Sequence, residues 1–192
     1  MRFFFVRDYK KRYRYFSSEP FSQIQLNPPR WKKLWELAKK KLMLLPQRIL
    51  RQEQAFARVL KLEEKKIQIF HSGRLDEKKI KHKFYFFLQK QRTKHILFLA
   101  AELLLLPISG LAALLPGPNV FFGVLALIMI THWQALRGIN RTLRKEQEFI
   151  PSPLFHDWEQ ALEHRGEGEF PQILEKIEKE YNLDGIHKVL WK

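Results

Sequence analysis

The sequence predicts a mainly α-helical membrane protein, a transmembrane helical hairpin set among amphipathic helices, with a short β-hairpin at its N-terminus. Three observations predict it. From Ile96 to Ile130 the chain reads ILFLAAELLLLPISGLAALLPGPNVFFGVLALIMI, with Glu102 as the one formal charge. A single bilayer crossing needs about 20 apolar residues. This run is longer, and Pro116, Gly117, Pro118 and Asn119 divide it at a turn that no helix continues through. Lys90, Arg92, Lys94 and His95 precede it, and Arg137, Arg141, Arg144 and Lys145 follow it. Basic flanks stay on the cytoplasmic or matrix side, so an even number of crossings is expected. A buried helix pair inside a soluble protein is the alternative, and apolar residues on every helix face argue against it.

Three regions follow from this reading. Residues 1–93 form a basic cytoplasmic or matrix-side region with a β-hairpin and amphipathic helices. Residues 94–138 form the two-helix transmembrane hairpin with its PGPN turn, and 139–192 an acidic helical tail. The expected location is an inner membrane, bacterial or mitochondrial, multi-pass, with both termini on the cytoplasmic or matrix side.

Charge supports the division. The chain carries a formal +15, and residues 146–192 hold eleven acids against five bases, so residues 1–145 carry +21. A body this basic suits an anionic lipid surface, and an acidic tail can fold back on it. Cysteine is absent, which excludes disulfides and thiolate metal sites. The opening MRFFFVRDYKKRYRYF has neither the apolar core nor the small-residue cleavage site of a secretory signal.

In chain order, Arg2 to Arg7 and Arg12 to Phe16 are aromatic β-prone runs separated by Asp8-Tyr9-Lys10-Lys11, the pattern of a hairpin. Its rings and cations suit lipid head groups, and a solvated basic edge strand is the alternative. Ser17 to Pro29 is a loop. In the helix that follows, Trp31 and Trp35 lie on an apolar stripe with Lys32, Lys33, Lys39 and Lys40 around it, a composition that lies in a membrane interface or packs on a neighbouring helix. A second amphipathic helix is expected from Gln47 to about Phe70, broken by His71-Ser72-Gly73. A third starts near Asp76 and runs into the first crossing. The second crossing continues as a polar helix to Glu148, and Pro151-Ser152-Pro153 stops it. Leu154 to His164 and Phe170 to Leu183 have helical apolar stripes.

The chain has no phosphate-binding glycine motif, nucleophile elbow or metal-ligand spacing, so an enzyme, a cofactor and a metal are not expected. Polar groups in or next to the apolar run are the candidates for function. Glu102 is a carboxylate in a crossing, where ionisable groups mark function by default. It stands about 12 Å along the helix from Lys94, and His132 about 7–8 Å from Arg137. The two therefore lie at similar depth and can pair, making them candidate proton- or ion-responsive residues.

Pro118, Asn119, Phe121, Phe122, His132, Trp133, Ala135, Leu136 and Gly138 carry a resemblance. A Pro-Asn turn, an aromatic pair and a His-Trp-x-Ala-Leu-x-Gly end are similar to the mitochondrial potassium/proton exchange-related family and its bacterial relatives, over about Pro116 to Gly138. The resemblance implies support of potassium/proton exchange in an inner membrane, as an antiport component or accessory, with K+ and H+ as the ions. Two crossings are too few to enclose a pathway, so self-assembly or a membrane protein partner is expected beside the lipid bilayer. A non-transporting scaffold or assembly factor, recruiting partners through its cytoplasmic helices, is the alternative. Nucleic-acid binding is a weaker reading, resting on the basic half alone.

Overall fold

Strand β1, Arg2–Arg7, lies between two other strands, and four of its six residues, Phe3, Phe4, Phe5 and Val6, are 0% exposed. A run of apolar residues without alternation is what a strand covered on both faces requires. The structure is a computed structural model and describes residues 2–18, 47–111, 120–164 and 167–191. β1 pairs antiparallel with β2, Tyr13–Ser17, and parallel with β3, Lys66–His71. β3 pairs parallel with β4, Glu146–Pro151, which completes a mixed four-stranded sheet in the order β2-β1-β3-β4.

Asp8 sets the first turn. Its carboxylate is buried and accepts hydrogen bonds from the backbone N–H groups of Lys10 (2.9 Å) and Arg12 (3.0 Å) and from Arg14 Nε (2.8 Å). A buried charge held by this many donors is compensated.

Helices cover both faces of the sheet. On one face Phe3, Phe5, Tyr15, Ile67, Ile69 and Phe149 meet α1 (Gln47–Val59), α2 (Glu77–Leu111) and α3 (Val120–Arg144). On the other, Phe4, Val6 and Phe16 meet α4 (Pro153–His164), α5 (Phe170–Tyr181) and α6 (His187–Leu190). Alternate side chains along one strand thus belong to two cores, as a period of two dictates.

The expected fold class is corrected here. The architecture is α/β, with a mixed sheet between helical layers, and not a mainly α transmembrane hairpin. Among the described residues no helix is long and apolar enough to cross a membrane. The membrane and transmembrane-hairpin readings, and with them the multi-pass inner-membrane location with both termini on one side, are overturned. The physical reason lies in what the helices pack against. The N-terminal half of α2 contributes Ile80, Phe84 and Leu88, and the C-terminal half of α3 contributes Ala135 and Ile139, to the core beneath the sheet. The described part of the apolar run is thus the far end of two helices anchored in a sheet-based core.

The second expected helix is also shorter than its apolar pattern. It ends at Val59, and KIQIFH, with burial alternating from Ile67 to Ile69, is β3. Likewise Glu146–Pro151 is a strand and not a helical continuation. The aromatic N-terminus is the centre of the sheet, and its rings face other rings: Phe3 stacks on Tyr15 at 5.5 Å and Phe4 on Phe16 at 5.3 Å. The PGPN turn, Pro116 to Asn119, and the tryptophan–lysine helix with Trp31, Lys32, Lys33, Trp35, Lys39 and Lys40 lie outside the described residues.

Candidate functional site

Three buried helix stripes change from apolar to polar at the same level. Along α2 the stripe runs Ile80, Phe84, Leu88 and then His95 and Glu102. Along α3, read backwards, it runs Ile139, Ala135 and then His132. Along α1, read backwards, it runs Val59, Phe56 and then Glu53. Spacings of three, four and seven keep each set on one helix face, so the four ionisable groups converge where the apolar core ends.

Gly138 makes that convergence possible. A Cβ at this position of α3 would overlap the backbone carbonyl of Phe56 on α1, so the two helices meet backbone to backbone only because the residue is glycine. Thr142, one turn on, donates its hydroxyl to the Gly138 carbonyl at 2.9 Å, and Ala135 is fully buried one turn back. Small residues on one α3 face thus bring Glu53 of α1 up to the imidazoles.

The array is a chain of close approaches. Glu53 Oε2 lies 3.2 Å from His95 Nε2, His95 Nδ1 lies 3.0 Å from His132 Nδ1, and His132 Nε2 lies 3.4 Å from Glu102 Oε1. The His95 side chain is 0% exposed and the other three are 11–18% exposed. Phe98 stacks on His132 at 5.1 Å, and the Phe56 ring stands edge-on to His95 at 6.4 Å. Both oxygens of Glu53, Nε2 of His95 and Oε2 of Glu102 make no aligned hydrogen bond among the described residues. Such buried, poorly satisfied groups are rare and demand a physical reason.

Electrostatics follow from enclosure. Burial pushes the Glu53 carboxyl up to about 7, with Lys94 pulling the other way. Burial pushes the His95 imidazole down to about 4, and His132 and Lys94 add to that shift. Burial raises Glu102, and burial with Lys94 lowers His132. Both rings are therefore neutral at neutral pH, and one of the two facing Nδ1 atoms carries the hydrogen between them. Neutral imidazoles also keep a lone pair for a cation. Glu53, His95 and His132 each offer one ligand atom, all within 4.8 Å of one another, and are the residues that could hold a metal.

Of the residues singled out in sequence, Glu102 and His132 stand next to each other, by packing and not by depth in a lipid leaflet. Trp133, adjacent to His132, points outward and is 54% exposed. Gly138 is the α1–α3 contact, and Phe121 and Phe122 belong to the first turn of α3. Sequence reasoning missed Glu53 and His95. His95 reads as one more flanking cation, although its seven-residue spacing to Glu102 places both on one helix face.

Fold and site together define an α/β protein whose helical layer encloses a buried carboxylate–imidazole array. The chain belongs to the family described as mitochondrial K+-H+ exchange-related, whose model matches residues 19–144. That match spans α1, β3, α2 and α3, and so includes every member of the array. No curated protein and no solved structure matches the chain.

Proposed function

We propose that the chain serves potassium–proton exchange as an accessory, acting through the array of Glu53, His95, His132 and Glu102. The observation that carries this reading is the array itself: four ionisable groups in contact, with buried oxygens and a nitrogen that lack aligned partners. Buried ionisable groups without compensation are costly to stability, and functional sites retain them. The family description supplies the link to exchange. Packing of the array between Phe56 and Phe98 supports a holding site for an ion or proton over a hydrated passage.

The test is complementation. Potassium-dependent proton exchange is measured in organelles or membrane vesicles from cells lacking the chain, then from cells given back the wild type, Glu102→Gln or His132→Ala. The wild type restores exchange, and each variant reduces it about fivefold or more at equal abundance. Full restoration by both variants contradicts the reading.

A second reading, a scaffold that recruits a partner, is favoured by a groove along α2. It encloses about 540 Å³ and is lined by Phe86, Gln89, Lys90, Thr93, Lys94, Leu97 and Phe98, with Phe86 and Leu97 exposed. An apolar floor beside two lysines fits an acidic amphipathic helix of a partner protein. Charge reversal at Lys90 then removes a co-purifying partner while leaving the array intact. Binding of the chain to anionic vesicles, with no protein partner, contradicts this second reading.

A further inference from the structure

We propose that Glu53, His95 and His132 form a binding site for one divalent transition-metal ion, with zinc as the best fit, and that Glu102 orients His132 toward it. This goes beyond the reading above and does not depend on it, since metal binding is measurable on the chain without any exchange activity.

Donor chemistry comes first. Two imidazole nitrogens and one carboxylate are a set that zinc and its first-row neighbours accept, whereas calcium and magnesium prefer shells of oxygen. Spacing comes second. The Nδ1 atoms of His95 and His132 stand 3.0 Å apart. Two nitrogens bound to one zinc at about 2.0–2.1 Å come to lie about 3.0–3.4 Å apart, so this pair is at ligand distance once the hydrogen between them moves to the Nε2 of the ring that carried it. Glu53 reaches the two rings from α1, and one ligand atom from each of the three residues lies within 4.8 Å of the others. Neither of its oxygens is held by an aligned hydrogen bond, so the carboxylate can turn onto the ion.

Burial supplies an independent sign. The His95 side chain is completely enclosed, and its Nε2 lies 3.2 Å from Glu53 Oε2 without an aligned hydrogen bond. A cation between the helices compensates the carboxylate and orders both rings, which the protein groups alone leave incomplete. The outer partner is also present. His132 turns Nε2 toward Glu102 Oε1 at 3.4 Å, which leaves Nδ1 facing His95. A carboxylate behind the far nitrogen of a ligating histidine is the usual way its orientation is fixed. Three protein ligands leave a fourth position for water. Lys94 is the nearby cation that opposes the site, acting on Glu53, His95 and His132, and its ammonium is drawn aside over the Phe98 ring at 5.5 Å.

The experiment uses the full chain, stripped with a chelator and titrated with zinc by calorimetry and with cobalt(II) by visible absorption. The expected result is one ion per chain with a Kd of about 1 μM or tighter, and the intense visible bands of four-coordinate cobalt. His95→Gln and Glu53→Gln weaken binding by more than about tenfold, and Glu102→Gln by about tenfold. Exposed His164→Gln leaves it unchanged. A measurement on the wild type covers the case in which a variant misfolds: on adding one equivalent of zinc, imidazole NMR signals of His95 and His132 move, while those of the other five of seven histidines stay. No binding, a stoichiometry far from one, or zinc shifts centred on other histidines overturns the proposal.

Discussion

The two faces of the sheet treat buried charge differently. On the face covered by α4–α6, Glu159 is 2% exposed and fully engaged, accepting from the Arg7 backbone N–H at 3.1 Å and from Arg7 Nε at 3.0 Å. Trp158 beside it donates its indole N–H to the Arg7 carbonyl at 2.8 Å. Around these contacts the core is aromatic and closed, with Phe155 stacked on Tyr181 at 5.4 Å. On the face covered by α1–α3 the carboxylates of Glu53 and Glu102 stand beside imidazoles, and both Glu53 oxygens and Glu102 Oε2 make no aligned hydrogen bond among the described residues. Paired buried ions hold a fold together once it has formed, and removing one partner is costly. Poorly compensated ions do not stabilise, so their retention points to use. One face is therefore the fastening of the molecule and the other its working side.

Mutations can break that contrast, and the largest effect falls at neither set of charges. Gly138→Ala forces α1 away from α3 and is expected to cost about 3 kcal/mol, read by urea denaturation, with loss of the 3.2 Å Glu53–His95 approach. Next, Glu159→Ala leaves Arg7 without its buried partner and costs about 3 kcal/mol or somewhat less. Its counterpart on the other face, Glu53→Gln in chelated protein, removes an uncompensated carboxyl and is expected to be neutral or to stabilise by about 1 kcal/mol at neutral pH. Comparable losses from both carboxylates contradict the contrast.

A smaller, pH-dependent effect sharpens it. His71, at the end of β3, is 4% exposed and accepts the Gly73 N–H on Nδ1 at 3.0 Å. Burial lowers its pKa below 6.5, against the opposing pull of Glu159 and Glu77. The unfolded chain therefore binds this proton more readily than the fold, so the stability contribution is present above about pH 6.5 and is lost as pH falls through the lowered value. His71→Asn should flatten the acid limb of the stability profile below pH 6.5, measured as Tm against pH. An unchanged limb shows that His71 does not contribute to it.

Local pattern makes part of this molecule legible in its sequence. Arg2 to Phe16 reads as two strands around Asp8, and α4 and α5 follow stripes such as Phe170, Leu174, Ile177 and Tyr181 that are buried at helical spacing. Glu102 stands out as a polar group in an apolar run, and His132 as one just beyond its end. What stays hidden depends on distant partners. β3 and β4 are six residues each, and each is a strand because of the neighbour it meets, Ile67 with Gln147 and Ile69 with Phe149. Hydropathy registers that Leu97, Leu104 and Ile130 are apolar, but not that Phe84, Leu88 and Ile139 of the same helices end beneath a sheet. Glu53 is invisible for a similar reason, since nothing near it in the chain announces His95, and only the glycine contact between α1 and α3 brings them together.

If the face with uncompensated charge exists for exchange and not for stability, Glu53→Gln separates the two roles in one variant. Its thermal stability and its ability to restore potassium–proton exchange are measured side by side. An equal or higher Tm together with exchange lowered about fivefold or more is expected. A variant of unchanged stability that restores exchange in full would contradict that division of labour.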